Sequence, residues 1–271
     1  VNVKETLDAL VKLRGAQLHW IDEPIAPEDP GVVAQHYIDH LPENCKVLVL
    51  MHMVNWTGQI LPIREIAVAA RERGIFVIAD GAHACAQFPV DLHALGVDAW
   101  AASLMKWLNA PFGTGVMYLR REQIERLVPI FPQKNIPDSD IRKFEGQGTR
   151  AYAAELAILH AIEYHRALGQ ARKTARLRYL TRYWTQQAAN IPGFKLHTTL
   201  KGEWYGALAL FTLDGWTPED LVQALEERYH IHVVPIDWRG IRGVRVTPTF
   251  YSTLAELDAL VAALRELGKG N

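Results

Sequence analysis

Hydrophobic positions along the first half of the chain alternate between two rhythms. Leu7, Leu10, Val11 and Leu13 predict a helix over 1–15, and a short strand is expected at 16–22. Pro24, Pro27 and Pro30 mark a loop before a helix at about 31–41. Residues 46–52 (KVLVLMH) form a short apolar run, the pattern of a strand buried on both faces. Pro62 stands where a first helical turn would begin, and Ile63, Ile66, Ala67 and Ala70 continue it toward Gly74. Strands are expected again at 75–80 (IFVIAD), 99–103 and 115–120. Strands alternating with helices predict an α/β fold with a mostly parallel sheet and helices on both faces.

Residues 121–150 are irregular and carry Pro129, Pro132 and Pro137. A long helical pattern follows over 152–190, broken near Gly169. The remainder reads as strand (207–213), helix (218–229), strands (231–236 and 243–247) and helix (253–267). Thr217-Pro-Glu-Asp220 and Thr253-Leu-Ala-Glu256 are capping signals at the two helix starts. The expected division is a larger α/β part over 1–165 and a smaller C-terminal α+β domain over 166–271.

Composition narrows the function classes. The 271 residues carry 29 Lys+Arg against 30 Asp+Glu, a formal net charge of −1, so neither nucleic acid nor a membrane surface is an expected partner. Two cysteines, Cys45 and Cys85, argue against a disulfide framework and for a reducing, cytoplasmic compartment. His36/His40 and His230/His232 have ligand-like spacing but no accompanying carboxylate or cysteine set, so no metal site is expected. Neither a nucleophile elbow nor a phosphate-loop motif is present, and Gly113-Thr-Gly115 is not a dinucleotide fingerprint.

Polar residues follow three of the predicted strands: Asn55 after 46–52, Asp80 at the end of 75–80, and Ser103 and Lys106 after 99–103. Parallel sheets bind ligands beyond the carboxyl ends of their strands, so neighbouring strands would gather these residues in one crevice. An Asp and a Lys facing each other suit a pyridoxal ring. The carboxylate keeps the ring nitrogen protonated, and the amine condenses with the aldehyde and later moves a proton. Position alone equally fits a capping Asp and a surface-snorkelling Lys.

The segments Asn55-Trp-Thr-Gly-Gln-Ile-Leu-Pro-Ile, Asp80-Gly-Ala-His83, Ser103-Leu-Met-Lys106-Trp-Leu and Gly113-Thr-Gly115 resemble, in order and spacing, the class V aminotransferase family. These are fold-type-I pyridoxal 5'-phosphate (PLP) enzymes. The stretch 106–115 is most similar to the isopenicillin N epimerase-like branch. The resemblance extends to the segment Gly243-Val-Arg245-Val-Thr-Pro-Thr-Phe-Tyr251. It implies that Lys106 is the Schiff-base lysine, that Asp80 pairs with the pyridine nitrogen, and that Asn55 and His83 lie near the ring hydroxyl. It further implies that Ser103 binds the phosphate and that Gly148 and Thr149 reach a phosphate of the partner subunit in a homodimer. Arg245 would clamp the substrate carboxylate, a task suited to a planar guanidinium. Residue-level alternatives stand beside these roles: a glycosylation sequon at Asn55, a packing histidine at His83, a turn cap at Ser103, and Arg239 or Arg242 in place of Arg245.

The expected reaction is Cα–H cleavage on an amino acid, aminotransferase- or epimerase-like, with C–S lysis as the alternative. Cysteine desulfurases share the fold but use a thiol C-terminal to the lysine, and residues 107–271 contain no cysteine. Met105 stands where many relatives have His. The chain begins at Val1 within a helical pattern, so the family's N-terminal part, with its ring-stacking side chain and phosphate loop, is expected to lie outside it. From that follow weak cofactor binding and, as a reading of another class, a non-catalytic fragment or scaffold. Trp56, Trp107 and Trp238 are either pocket walls or core.

Overall fold

The computed structural model describes residues 2–146, 148–150 and 152–269. Helix α1 (Asn2–Arg14) opens the chain, followed by α2 (Pro30–Asp39), strand β1 (Val47–Met51), α3 (Ile63–Glu72), β2 (Phe76–Asp80), the short α4 (Leu92–Leu95), β3 (Ala99–Ser103) and β4 (Gly115–Leu119). The expected strand at 16–22 does not form. That segment has no ladder partner among the described residues and runs as irregular backbone. Strands β1, β2 and β3 pair parallel in that spatial order, and β4 closes the sheet antiparallel to β3.

One face of this sheet is a proper core. Leu48, Leu50, Val77 and Ala79 alternate inward and join Ile66 and Ala70 of α3 and Val33 of α2 in one cluster. A fully buried aliphatic side chain of this kind contributes about 2 kcal/mol. The other face departs from the two-sided burial expected for 46–52. Phe76 and Ile78 pack beside Leu119 and Ile124, but Val47 and Val49 remain 52% and 38% exposed. Helices α2 and α3 cover only the side onto which Leu48 and Leu50 point.

The expected break falls at Gly169, which takes a left-handed φ of 81° between helices α5 (Tyr152–Leu168) and α6 (Gln170–Ala188). A second, antiparallel sheet follows, with β5 (Phe194–Leu196), β6 (Ala209–Leu213), β7 (Val234–Trp238) and β8 (Ile241–Val246) in the order β5-β6-β8-β7. Helices α7 (Pro218–Tyr229) and α8 (Leu254–Leu267) pack on it. The Thr217 side chain accepts from the Asp220 backbone, and Thr253 with Glu256 forms a full capping box. No helix among the described residues is long and apolar enough to cross a membrane.

The loop after β1 stitches the two sheets together. Ile60 N–H and Gln59 Nε2 both donate to the Trp204 carbonyl, at 2.9 and 2.6 Å, and the Thr198 hydroxyl donates to the Thr57 carbonyl. Gly58 sits at this seam with φ 74°, and a Cβ there would lie 2.1 Å from the Leu208 carbonyl oxygen. Gly58→Ala is therefore expected to cost about 3 kcal/mol, combining backbone strain with a clash against main chain. Chemical denaturation measures it, and a midpoint equal to that of the unsubstituted chain would contradict this account of the seam.

Candidate active site

Parallel, in-register pairing aligns the carboxyl ends of the central strands. Met51 stands opposite Asp80, and Asp80 opposite Ala101. The chain turns immediately after Asp80: its Oδ1 accepts the Ala82 N–H at 2.8 Å, and the Gly81 N–H donates to the Ala101 carbonyl. Residue 81 must lack a side chain, because a Cβ would meet the Trp100 ring at 2.0 Å. This turn carries His83 toward the loop that follows β3. Lys106 Nζ lies 3.2 Å from His83 Nε2.

The charges around this pair oppose one another. Burial pushes the His83 imidazole down to about 3, and the positive charges of Lys106 and Arg245 push in the same direction. His83 is therefore neutral, and its Nε2 can accept from the lysine. Burial also lowers the Lys106 pKa, with Asp80 pulling it up and Arg245 pushing it down. Lys106 as a residue is nonetheless exposed.

Arg245 arrives from the second sheet. It lies on β8 opposite Val234 of β7 and Leu210 of β6, and donates from its terminal nitrogen to the Asn55 carbonyl at 2.7 Å. Burial lowers its pKa. Its Nε and the Nδ1 of His83 are buried and, among the described residues, have no hydrogen-bond partner. Each is a polar atom with hydrogen-bonding capacity that a polar ligand could take up. A group with a phenolic oxygen, a pyridine nitrogen and an aldehyde fits the set of an Asp, a neutral His, an Asn and a Lys amine.

Four of the residues singled out in the sequence act on one another at one end of the first sheet, Asp80, His83, Lys106 and Arg245, while Asn55 and Ser103 stand in the segments beside them. Asn55 contacts Arg245 through its backbone. Ser103 ends β3 opposite Gly115. Gly148 and Thr149 are exposed, and among the described residues no hydrogen bond joins them to this cluster. Trp107 is buried in the core beside His83, ring centroids 6.5 Å apart, whereas Trp56 and Trp238 stack as a half-buried pair at 6.0 Å.

Sequence reading missed the groups behind the cluster. Gln87 Nε2 donates to the His83 carbonyl at 2.5 Å, and its Oε1 accepts the Ala207 N–H at 2.7 Å. The Thr174 hydroxyl donates to the Gln87 carbonyl, and Lys173 Nζ to the Trp107 carbonyl. One signal was available. Residues 173 and 174 stand at helical spacing from Leu177, Leu180 and Thr181, on the stripe that α6 buries.

The family model of class-V aminotransferases matches residues 5–247. Among curated proteins, isopenicillin N epimerase of Streptomyces clavuligerus is 29% identical over 96% of this chain and 70% of its own length. Probable cysteine desulfurase 2 of Mycobacterium leprae is 28% identical over 94% of this chain and 64% of its own. The chain therefore spans about two thirds of the length of these relatives. Among solved structures, the cystine C-S lyase C-DES in complex with cysteine persulfide superposes with a TM-score of 0.82 at 20% identity, covering 97% of this chain and 72% of that one.

Two buried histidines contribute to the acid response of the chain. His83 is held down to about 3 and His52 to about 4, both chiefly by burial. An unfolded histidine takes its proton near 6.5, so between that pH and about 3 the unfolded state binds more protons. Their contribution to stability is complete above pH 6.5 and drains away as the pH falls through this window. His83→Gln is expected to flatten the acid limb of a stability–pH curve measured by urea denaturation. An unchanged slope would show that His83 does not stay neutral in the folded chain.

Proposed function

This chain belongs to the class-V aminotransferase family, and on that footing we propose that its protein acts on an amino acid by cleaving the Cα–H bond, in an epimerase- or aminotransferase-like reaction. The family's cofactor, pyridoxal 5'-phosphate, supplies when bound an aldehyde that condenses with amines and a protonated ring that withdraws electrons from Cα.

The observation that carries the reading is the meeting of Asp80, His83, Lys106 and Arg245 around two unpartnered buried nitrogens. Lys106 is the amine that holds the aldehyde and afterwards takes and returns the α-proton at its Nζ. Burial lowers its pKa, which favours the unprotonated form that a base requires. Asp80, at the strand terminus, faces the pyridine nitrogen that must stay protonated. Asn55 and His83 hold the ring oxygen, His83 as a neutral group. Ser103 takes the phosphate, joined by Gly148 and Thr149 across a homodimer interface. Arg245 orients the substrate carboxylate, and its Nε is free to do so. The division at 165/166 and a cytoplasmic setting belong to the same reading.

A second reading is C–S lysis without a protein thiol. Kinship with a protein named a probable cysteine desulfurase favours it, together with the lack of any cysteine in residues 107–271.

Borohydride reduction in the presence of PLP tests the reading. The visible absorption band is expected to vanish on reduction and the pyridoxyl mass to stay on the peptide carrying Lys106. Lys106→Ala should abolish both. A label spread over surface lysines, unchanged in Lys106→Ala, would refute it. In the active protein, Arg245→Gln is expected to lower kcat/KM about 100-fold, mostly through KM, as loss of a charged carboxylate contact implies. An Arg245→Gln protein with ordinary KM for its amino acid would remove Arg245 from that role.

A further inference from the structure

Lys173 is 3% exposed, and burial holds its pKa down to about 8, with the Cys85 thiol as the one group pulling it back up. Among the described residues no carboxylate pairs with it. Desolvating an ammonium without an opposite charge is costly, and residues of this kind persist where a specific contact requires them. Among the described residues the amine makes two contacts. Nζ donates to the Trp107 carbonyl and stands 5.0 Å from the Phe250 ring centroid. Trp107 is the residue next to Lys106, in a turn otherwise closed by Leu104 N–H to the Thr114 carbonyl and Ala110 N–H to the Leu104 carbonyl.

The neighbouring residue on α6 acts on the opposite side of the cluster. Thr174 donates to the Gln87 carbonyl at 3.0 Å, and Gln87 Nε2 to the His83 carbonyl at 2.5 Å. One turn of α6 thus holds both chain segments whose side chains meet in the Lys106–His83 contact. We propose that Lys173 is a positioning residue: through the Trp107 carbonyl it sets the turn that presents the Lys106 amine to His83 and Asp80. The proposal rests on the reading of Lys106 as the reactive amine. Its effect is not one of charge on charge, because the groups acting on Lys106 are burial, Asp80 and Arg245.

Competitive labelling of the cofactor-free chain with trace acetic anhydride between pH 6 and 11 reads the Lys106 amine directly, by mass spectrometry of its peptide. In the unsubstituted chain its midpoint should fall below the ordinary lysine value of about 10.4. Lys173→Met keeps the unbranched shape without the donor, and should fold. In this variant the midpoint is expected to rise, back toward that of an unconstrained lysine. Lys173→Arg keeps charge and donor and should retain the lower midpoint. A folded Lys173→Met chain with the original midpoint would overturn the proposal. So would failure of both variants to fold, since Lys173 would then serve the whole fold. The cofactor reading fails separately, through absence of the borohydride label on Lys106 in the unsubstituted chain.

Discussion

Gln87 sets its carboxamide between the two sheets and spends both ends there. Its nitrogen holds the His83 carbonyl and its oxygen takes the Ala207 N–H. Gly206, next to that N–H, leaves room for it: a Cβ at 206 would lie 1.9 Å from the Gln87 oxygen. A buried amide satisfied on both sides is a rigid link, because losing either bond strands a polar group away from water. The cluster depends on this link. Asp80, His83 and Lys106 belong to the first sheet, and Arg245 to the second. Arg245 can act beside Lys106 only while the sheets keep their separation, which Gln87 holds on one side and the Arg245–Asn55 hydrogen bond on the other.

Within that frame, burial does most of the electrostatic work. It makes His83 neutral and eases the proton off Lys106, while Arg245 adds repulsion and Asp80 opposes it. A base needs an amine that is unprotonated yet accessible. Lys106 combines a pKa lowered by burial with residue-level exposure, whereas full burial would remove access. The unpartnered nitrogens of His83 and Arg245 have the same origin: their surroundings exclude water without supplying acceptors, which leaves that capacity for a ligand.

Much of the fold was legible along the chain. The helix at 218–229 matches α7 residue for residue, and the capping boundary at Thr253 precedes α8, because local hydrogen bonding defines helix ends. Gly169 broke the long helix as its position foretold. The strand expected at 16–22 failed for the opposite reason: a strand exists only where a neighbour completes its ladder, and no pattern within seven residues reports that neighbour. Two-sided burial at 46–52 failed similarly, since Val47 and Val49 are apolar whether or not anything covers them.

The same division runs through the site. Asn55, Asp80, Ser103 and Lys106 were visible because strand ends can be read from hydrophobic runs and parallel strands deliver their carboxyl ends to one edge. Family kinship was visible because ordered motifs survive in linear spacing. Gln87, Thr174 and Lys173 were not, because a carboxamide, a hydroxyl and an ammonium acquire meaning only from what lies opposite them. Those opposites stand 120, 87 and 66 residues away in the chain. Residue type and period thus determine which groups are available and which element carries each. Separation, burial and protonation are decided only when distant segments close over one another and exclude water.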